Sequence, residues 1–172
     1  MKKTILFLSV VFAFVFVAAC STKMTQTDLM PISAQLLKNK AIYIAVVDDG
    51  SFNGRIYAGS GLSVANYFQV NCRPYASKVI IGNQRDFLNE AKNLKADYAF
   101  RAIITHWEPR SAAWSGIPTK VEINIAVYNA SDGKELVNTT LAVRGRAMTF
   151  ANQSAEGLAA ALIKDFCQQI FN

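Results

Sequence analysis

The sequence of 172 residues has few of the residue types on which several classes of protein depend. It contains one histidine and three cysteines, which argues against a catalytic metal site built on histidines and excludes a disulfide-rich scaffold. Charged residues make up only 17% and hydrophobic residues 52%, a balance that excludes an intrinsically disordered chain. No set of long apolar runs indicates a multi-span membrane protein. The length favours a single domain.

The first twenty residues have the pattern of a bacterial export signal. Two lysines precede residues 5–17, which are apolar except for one serine, and small residues follow. The apolar stretch is shorter than the roughly 20 residues that a membrane-spanning helix needs. Its end, Val17-Ala18-Ala19-Cys20, resembles a bacterial lipobox. The resemblance implies a lipoprotein signal peptide over residues 1–19, cut before Cys20, and a diacylglyceryl group on the Cys20 thiol.

Lipidation at Cys20 determines where we expect the protein to be. Two or more acyl chains anchor a protein stably to a bilayer that it does not cross. In lipoproteins of this kind, Asp after the cysteine commonly signals retention at the inner membrane, so Ser21 favours the outer membrane. We therefore expect a periplasmic domain anchored to that membrane, with an envelope protein or a cell-wall component as a further partner. No Lys/Arg cluster of the nucleic-acid-binding type is present, and no nucleic acid partner is expected.

The rest of the chain predicts a tether followed by one α/β (α+β) domain. The stretch from Ser21 to about Gln35 is polar and rich in threonine, so residues 20–39 are predicted to be the lipidated Cys and a tether, with the domain over residues 40–172. The hydrophobic patterns give the order β-α-β-α-β-β-β-α. The predicted strands are 41–47, 79–81, 97–105, 121–127 and 137–143, and the predicted helices are 61–73, 85–95 and one that Ser154 caps. Early βα units favour parallel pairing and Asp132-Gly133 an antiparallel hairpin, so we expect a single mixed sheet of about five strands with helices packed on it.

Two cysteines remain once Cys20 is lipidated. Cys72 and Cys167 each lie on the apolar face of a predicted helix. In an oxidising compartment they could form a disulfide, which would close a loop of about a hundred residues and stabilise the fold by roughly 4–5 kcal/mol. The alternative is a pair of buried thiols too far apart to bridge. Either role is structural, and the sequence leaves both open.

The longest irregular segment of the predicted domain opens at His106 and runs to Thr119. Both tryptophans of the chain, Trp107 and Trp114, fall inside it, with Glu108 and Arg110. Long loops are often functional, and Trp and Arg are favoured at interfaces, so these five residues are candidate partner contacts. The alternative is a loop folded over the sheet end, with the Trp rings filling a small core.

The same segment offers a catalytic alternative. His106 and Glu108 could act as a general acid and base in a small periplasmic hydrolase or lyase. However, residues two apart on a strand share a face without any catalytic reason, and no motif marks a Ser or Cys nucleophile. We therefore expect no enzyme, no catalytic residue, no metal ligand and no cofactor.

A glycine-rich turn, Tyr57-Ala58-Gly59-Ser60-Gly61, precedes the first predicted helix. Backbone N–H groups at such a turn can bind an anion, which would make Gly59–Gly61 the site of an anion or ligand sensor. Ser60 acting as the helix N-cap explains the same residues equally well.

Several motifs together resemble a known family. They are the lipobox, Tyr57-x-Gly59-Ser60-Gly61, Ala96-Asp97-Tyr98, and His106-Trp107-Glu108-x-Arg110 with Trp114-Ser115-Gly116. The chain resembles, over nearly its whole length, an uncharacterised family of proteobacterial lipoproteins that carries a domain of unknown function. The element order is similar to the N-terminal domain of TolB and the periplasmic domains of CsgG-type lipoproteins. These resemblances imply a non-enzymatic binding or accessory module of the cell envelope, and they assign no catalytic residue.

Overall fold

A mixed β-sheet with helices on both faces organises the described part of the chain. The structure is a computed structural model that describes residues 23–28, 35–110, 117–146 and 153–171, with the backbone alone described for 23–28. The expected signal peptide, Cys20 and Trp114 lie outside these residues. The strands are β1 (Lys23–Asp28), β2 (Lys40–Ala45), β3 (Ser51–Phe52), β4 (Arg55–Ile56), β5 (Ala76–Gly82), β6 (Tyr98–Glu108), β7 (Lys120–Asn129) and β8 (Glu135–Arg144), and the helices are α1 (Ser60–Cys72), α2 (Phe87–Asn93) and α3 (Ala155–Ile170).

The large sheet has the strand order β1-β8-β7-β6-β2-β5. Strand β2 pairs in parallel with β5 on one side and with β6 on the other, while the β6-β7-β8 meander and β1 are antiparallel. The hairpin between β7 and β8 turns at Gly133, whose φ of 73° suits glycine. The predicted fold class and mixed sheet are confirmed.

Strand β1 lies inside the segment that was predicted to be a tether. It pairs with β8 in a register that places Lys23 opposite Arg144 and Asp28 opposite Thr139. Leu36, also in that segment, is buried, and its backbone N–H donates to the Ile170 carbonyl at 2.8 Å. The domain therefore begins before Lys40, and the sheet has six strands where about five were expected.

The main core lies between one face of the sheet and helices α1 and α3. Phe68 meets Phe100 and Phe166 edge-on, with ring centroids 6.0 and 6.1 Å apart. The second face is covered in part by α2, where Ala91 packs against small and aromatic residues of β2 and β6. The apolar spacing of the two helical segments predicts inward-facing Leu62 and Leu94, but they are 52% and 44% exposed. Leu62 lies on the outer side of α1, and Leu94 follows the last residue of α2.

A disulfide joins α1 to α3. The structure bonds Cys72 to Cys167, with their Cα atoms 5.4 Å apart and both residues fully buried. Of the two alternatives that the sequence left open, the structure therefore has the bridge. Among the described residues, no helix combines the length and the apolar character that crossing a bilayer requires.

Candidate functional site

A bulge in β6 decides which way the residues of the His-Trp-Glu motif face. The pairing of β6 with β7 shifts between Ile104 and His106, so Thr105 is the extra residue. After the bulge, Trp107 lies opposite the buried Val121, while His106 and Glu108 point to the other face. Because β6 extends to Glu108, the segment predicted as a loop from His106 begins three residues later, at Pro109.

Trp107 belongs to the core, which corrects its prediction as a partner contact. Its side chain has no exposed surface. Gly50 packs directly on it, since a Cβ atom on Gly50 would lie 2.7 Å from the Cβ of Trp107. Among the described residues the indole Nε1 finds no hydrogen-bond acceptor. The packing alternative therefore holds for Trp107, and Trp114 lies outside the described residues.

Glu108 is the centre of a three-residue cluster. Its Oε2 accepts a hydrogen bond from His106 Nε2 at 2.8 Å, and its Oε1 pairs with Arg110 Nη2. The Glu108 side chain is only 11% exposed. Burial alone would raise the pKa of Glu108, but the hydrogen bonds and positive charges of His106 and Arg110 outweigh it and hold that pKa below its usual range.

The cluster also holds the β3–β4 hairpin against the end of β6. The Phe52 ring lies edge-on to the His106 ring at 5.3 Å, and the Arg110 guanidinium lies over Phe52 at 5.3 Å. Both carboxylate oxygens of Glu108 are engaged within the cluster. This geometry favours a structural role for Glu108, which links His106 to Arg110, over a role as a general base.

The backbone N–H groups of the glycine-rich turn at the start of α1 already bind a carboxylate of the protein, that of Asp49. Asp49 accepts the backbone N–H of Gly59 at 3.1 Å and that of Gly61 at 2.9 Å. The Ser60 hydroxyl instead accepts from the backbone N–H of Gly50 at 2.8 Å, and Gly59 is the N-cap. Ser60 as N-cap was therefore wrong, and Asp49 occupies the donors that an external anion would need. By contrast, Ser154 caps α3 as predicted, by accepting from Gly157 N–H at 3.0 Å.

Two adjoining clefts open at the end of the sheet where β2 and β6 finish. The first has a volume of about 420 Å³ and is lined by Arg55, Tyr57, Pro109, Arg110, Thr119 and the start of α3. The second, of about 430 Å³, is lined by Arg55, Ile56, Tyr57, Glu156 and the start of α1. Both lie outside the carboxyl ends of parallel strands, the usual position of a ligand site in an open α/β sheet. Neither is lined by His106 or Glu108.

The clefts bring together parts of two sequence motifs. Tyr57 comes from the glycine-rich motif and Arg110 from the His-Trp-Glu motif, and both line the first cleft. Sequence reasoning missed Arg55 and Glu156, which carry opposite charges at the same place. Neither belongs to a motif, because each reaches the cleft only through the folding of a hairpin or a distant helix. Within the described residues, no group of three or more His, Cys, Asp or Glu side chains could hold a metal ion.

The sequence matches the family described as Domain of unknown function (DUF4823) over residues 34–170. The chain belongs to this family. The predicted membership of a family with a domain of unknown function is confirmed. No curated protein matches this DUF4823 chain.

Solved structures share the DUF4823 fold at low sequence identity. The PelC dodecamer from Paraburkholderia phytofirmans has a TM-score of 0.64 and 14% identity, over 84% of this chain and 94% of that one. Lipoprotein GNA1162 from Neisseria meningitidis has a TM-score of 0.51 and 15% identity, over 76% of this chain and 97% of that one. Protein XCC0632 from Xanthomonas campestris, assigned to DUF330, has a TM-score of 0.51 and 11% identity, over 84% and 88%. At these identities the likeness establishes the fold alone.

Proposed function

We propose that the protein is an outer-membrane lipoprotein whose periplasmic domain acts as a non-enzymatic binding or accessory module of the cell envelope. Lipid on Cys20 anchors it, and the paired clefts at the carboxyl ends of β2 and β6 receive a partner. An anchored domain meets other envelope components at a raised effective concentration, which favours binding of modest intrinsic affinity.

Export is supported by the disulfide between Cys72 and Cys167 as well as by the lipobox. Disulfides persist in oxidising compartments such as the bacterial periplasm and are rare in the cytosol. The likeness of the fold to a lipoprotein of Neisseria meningitidis supports the same location.

The binding proposal rests on one observation: residues of the glycine-rich motif and of the His-Trp-Glu motif line the same cleft. Arg55 is exposed, Tyr57 is half-buried, and Glu156 is exposed at the start of α3. Arg55 lies over the Tyr57 ring, 5.2 Å from its centroid, so a cation and an aromatic surface are offered together. These residues suit a partner with an acidic group and an apolar surface. They replace Trp107 as the expected contact, while Arg110 keeps that role.

The non-enzymatic character is supported by how the titratable groups are used. Glu108 is paired on both oxygens, and Asp49 is committed to the backbone of α1. Neither group is presented to the clefts. The hydrolase or lyase alternative on His106 and Glu108 would need a substrate to displace Arg110 or His106 from the carboxylate.

The proposal is tested by in-cell cross-linking of the full-length lipoprotein, followed by mass spectrometry of the captured proteins. Arg55→Glu is compared with Lys78→Glu, the same charge change at an exposed residue of β5 that lies opposite the start of β2, whereas the clefts lie at the end of β2. We expect a specific partner with the native protein and with Lys78→Glu, and its loss with Arg55→Glu. Equal capture by both variants, or no specific partner at all, would contradict the proposal.

A further inference from the structure

We propose that one corner of the sheet, at the end of β8 and the start of β7, rests on the anionic phospholipid headgroups of the membrane that holds the anchor. This corner, which we call the basic end, is formed by Lys120, Arg144 and Arg146. The proposal rests on the lipidation of Cys20 proposed above, and it adds which surface of the domain faces the bilayer.

The distance along the chain from the anchor to the sheet is short. Strand β1 begins at Lys23, three residues after Cys20, and a fully extended chain of three residues spans at most about 11 Å. The first pair of β1 with β8 is Lys23 with Arg144. Because β1 is part of the sheet, the domain has no long tether, and the Arg144 corner of the sheet stays close to the lipid.

Basic residues occupy this corner in direct cross-strand register. Lys23 lies opposite Arg144 on β8, and Arg144 lies opposite Lys120 on β7. Arg146 follows two residues after Arg144, and both arginines are exposed. No ion pair to either arginine occurs within the described ranges, whereas Lys120 is paired with Glu122 at 2.7 Å. Counted over the described side chains, the basic end therefore has an excess of positive charge.

One exposed isoleucine adjoins the basic end. Ile117 is 48% exposed and lies three residues before β7. Surfaces that combine cations with exposed apolar side chains suit the headgroup layer, where the cations meet lipid phosphates and the apolar groups enter the acyl boundary. Each cation near an anionic membrane raises binding by about fivefold at moderate salt.

The test follows lysine acylation in the full-length lipoprotein, purified with its native lipid and placed in phosphatidylcholine vesicles with or without phosphatidylglycerol. Lys120 reports on the basic end. Lys95, exposed before the start of β6, reports on the opposite end of the sheet. We expect anionic vesicles to slow the acylation of Lys120 at least about fivefold relative to neutral ones and to leave Lys95 unchanged. High salt should remove the difference.

A charge-reversed variant tests the contribution of Arg144 and Arg146 to the membrane contact. Arg144→Glu with Arg146→Glu should abolish the protection of Lys120, whereas the matched pair Arg73→Glu with Lys78→Glu should retain it. Equal acylation of Lys120 in both kinds of vesicle would overturn the proposal and leave the anchor intact. Protection of Lys120 in native envelope membranes alone would assign the surface to a protein and would also overturn it. The mass of the lipid on residue 20, measured on the same sample, tests the anchor separately.

Discussion

The carboxylate of Asp49 accepts a hydrogen bond from the backbone N–H of Gly61 at 2.9 Å. A negatively charged side chain from the preceding loop thus caps the N-terminus of α1. The position needs glycine, because a Cβ atom on residue 61 would lie 2.1 Å from the carbonyl oxygen of Val47. The first turn of α1 therefore packs directly against the backbone that follows β2. The glycine-rich motif serves this junction, and an external anion is not required to explain it.

Replacement of Asp49 tests the junction. Asp49→Ala removes the acceptor for two backbone N–H groups at the start of α1, so we expect the free energy of unfolding to fall by about 0.5–2 kcal/mol. The exposed neighbour is the control, and Asp48→Ala should change stability by less than about 0.5 kcal/mol. Urea denaturation of both variants measures the difference. Equal effects of the two substitutions would show that the capping contacts contribute nothing.

The disulfide should be a large contributor to stability. It links residues separated by 95 positions, and closing a loop of that length stabilises by about 4–5 kcal/mol through the entropy of the unfolded chain. We expect Cys72→Ser with Cys167→Ser to lower the urea midpoint strongly. A reductant should lower the midpoint of the native protein but leave that of the double variant unchanged. A native protein that is insensitive to reductant even when unfolded would indicate free thiols.

The Glu108 cluster predicts a pH dependence of stability. Because the pKa of Glu108 is lower in the folded protein than in the unfolded chain, its contribution is present above the unfolded value of about 4.3. It is lost as the pH falls through the folded pKa. Glu108→Gln should therefore cost most stability near neutral pH and progressively less in acid. A cost that does not vary between neutral and acid pH would contradict the charge-based account of the cluster.

Trp107 should behave as a core residue. Trp107→Ala removes a fully buried side chain and should cost about 3–5 kcal/mol, as measured by urea denaturation. Trp107→Phe should cost much less, since it retains a large ring and also removes the buried N–H that finds no acceptor among the described residues. If Trp107→Ala were as stable as the native protein, the packing of the indole would contribute little to stability, which would contradict this assignment. The substitution is unsuitable as a probe of partner binding for the same reason.

The parts of the fold that the sequence predicted are those with a strong hydrophobic period. The alternation of Val121, Ile123, Ile125 and Val127 marked β7, and Leu158, Leu162 and Phe166 marked the inner face of α3. Strand β1 carries no such signal. It is polar except for Met24, and an edge strand can be held by backbone pairing with β8 alone.

The candidate site was harder to predict than the fold. The bulge at Thr105 reverses the faces of the residues that follow it, and no local pattern announces a one-residue insertion into the ladder. For this reason the sequence left both a partner contact and a core position open for Trp107, and the structure has the core position. Arg55 and Glu156 are distant in sequence, and only the packing of the hairpin beside α3 brings them to the same cleft.

The mass of the N-terminal tryptic peptide, from protein extracted from its own cell membranes, tests whether the protein is a lipid-anchored lipoprotein. We expect a peptide of residues 20–23 that begins at Cys20 and carries a diacylglyceryl group on the thiol, with the modified protein fractionating with outer membranes. A tryptic peptide that still contains residues preceding Cys20, or a Cys20 without lipid, would contradict an anchored envelope lipoprotein.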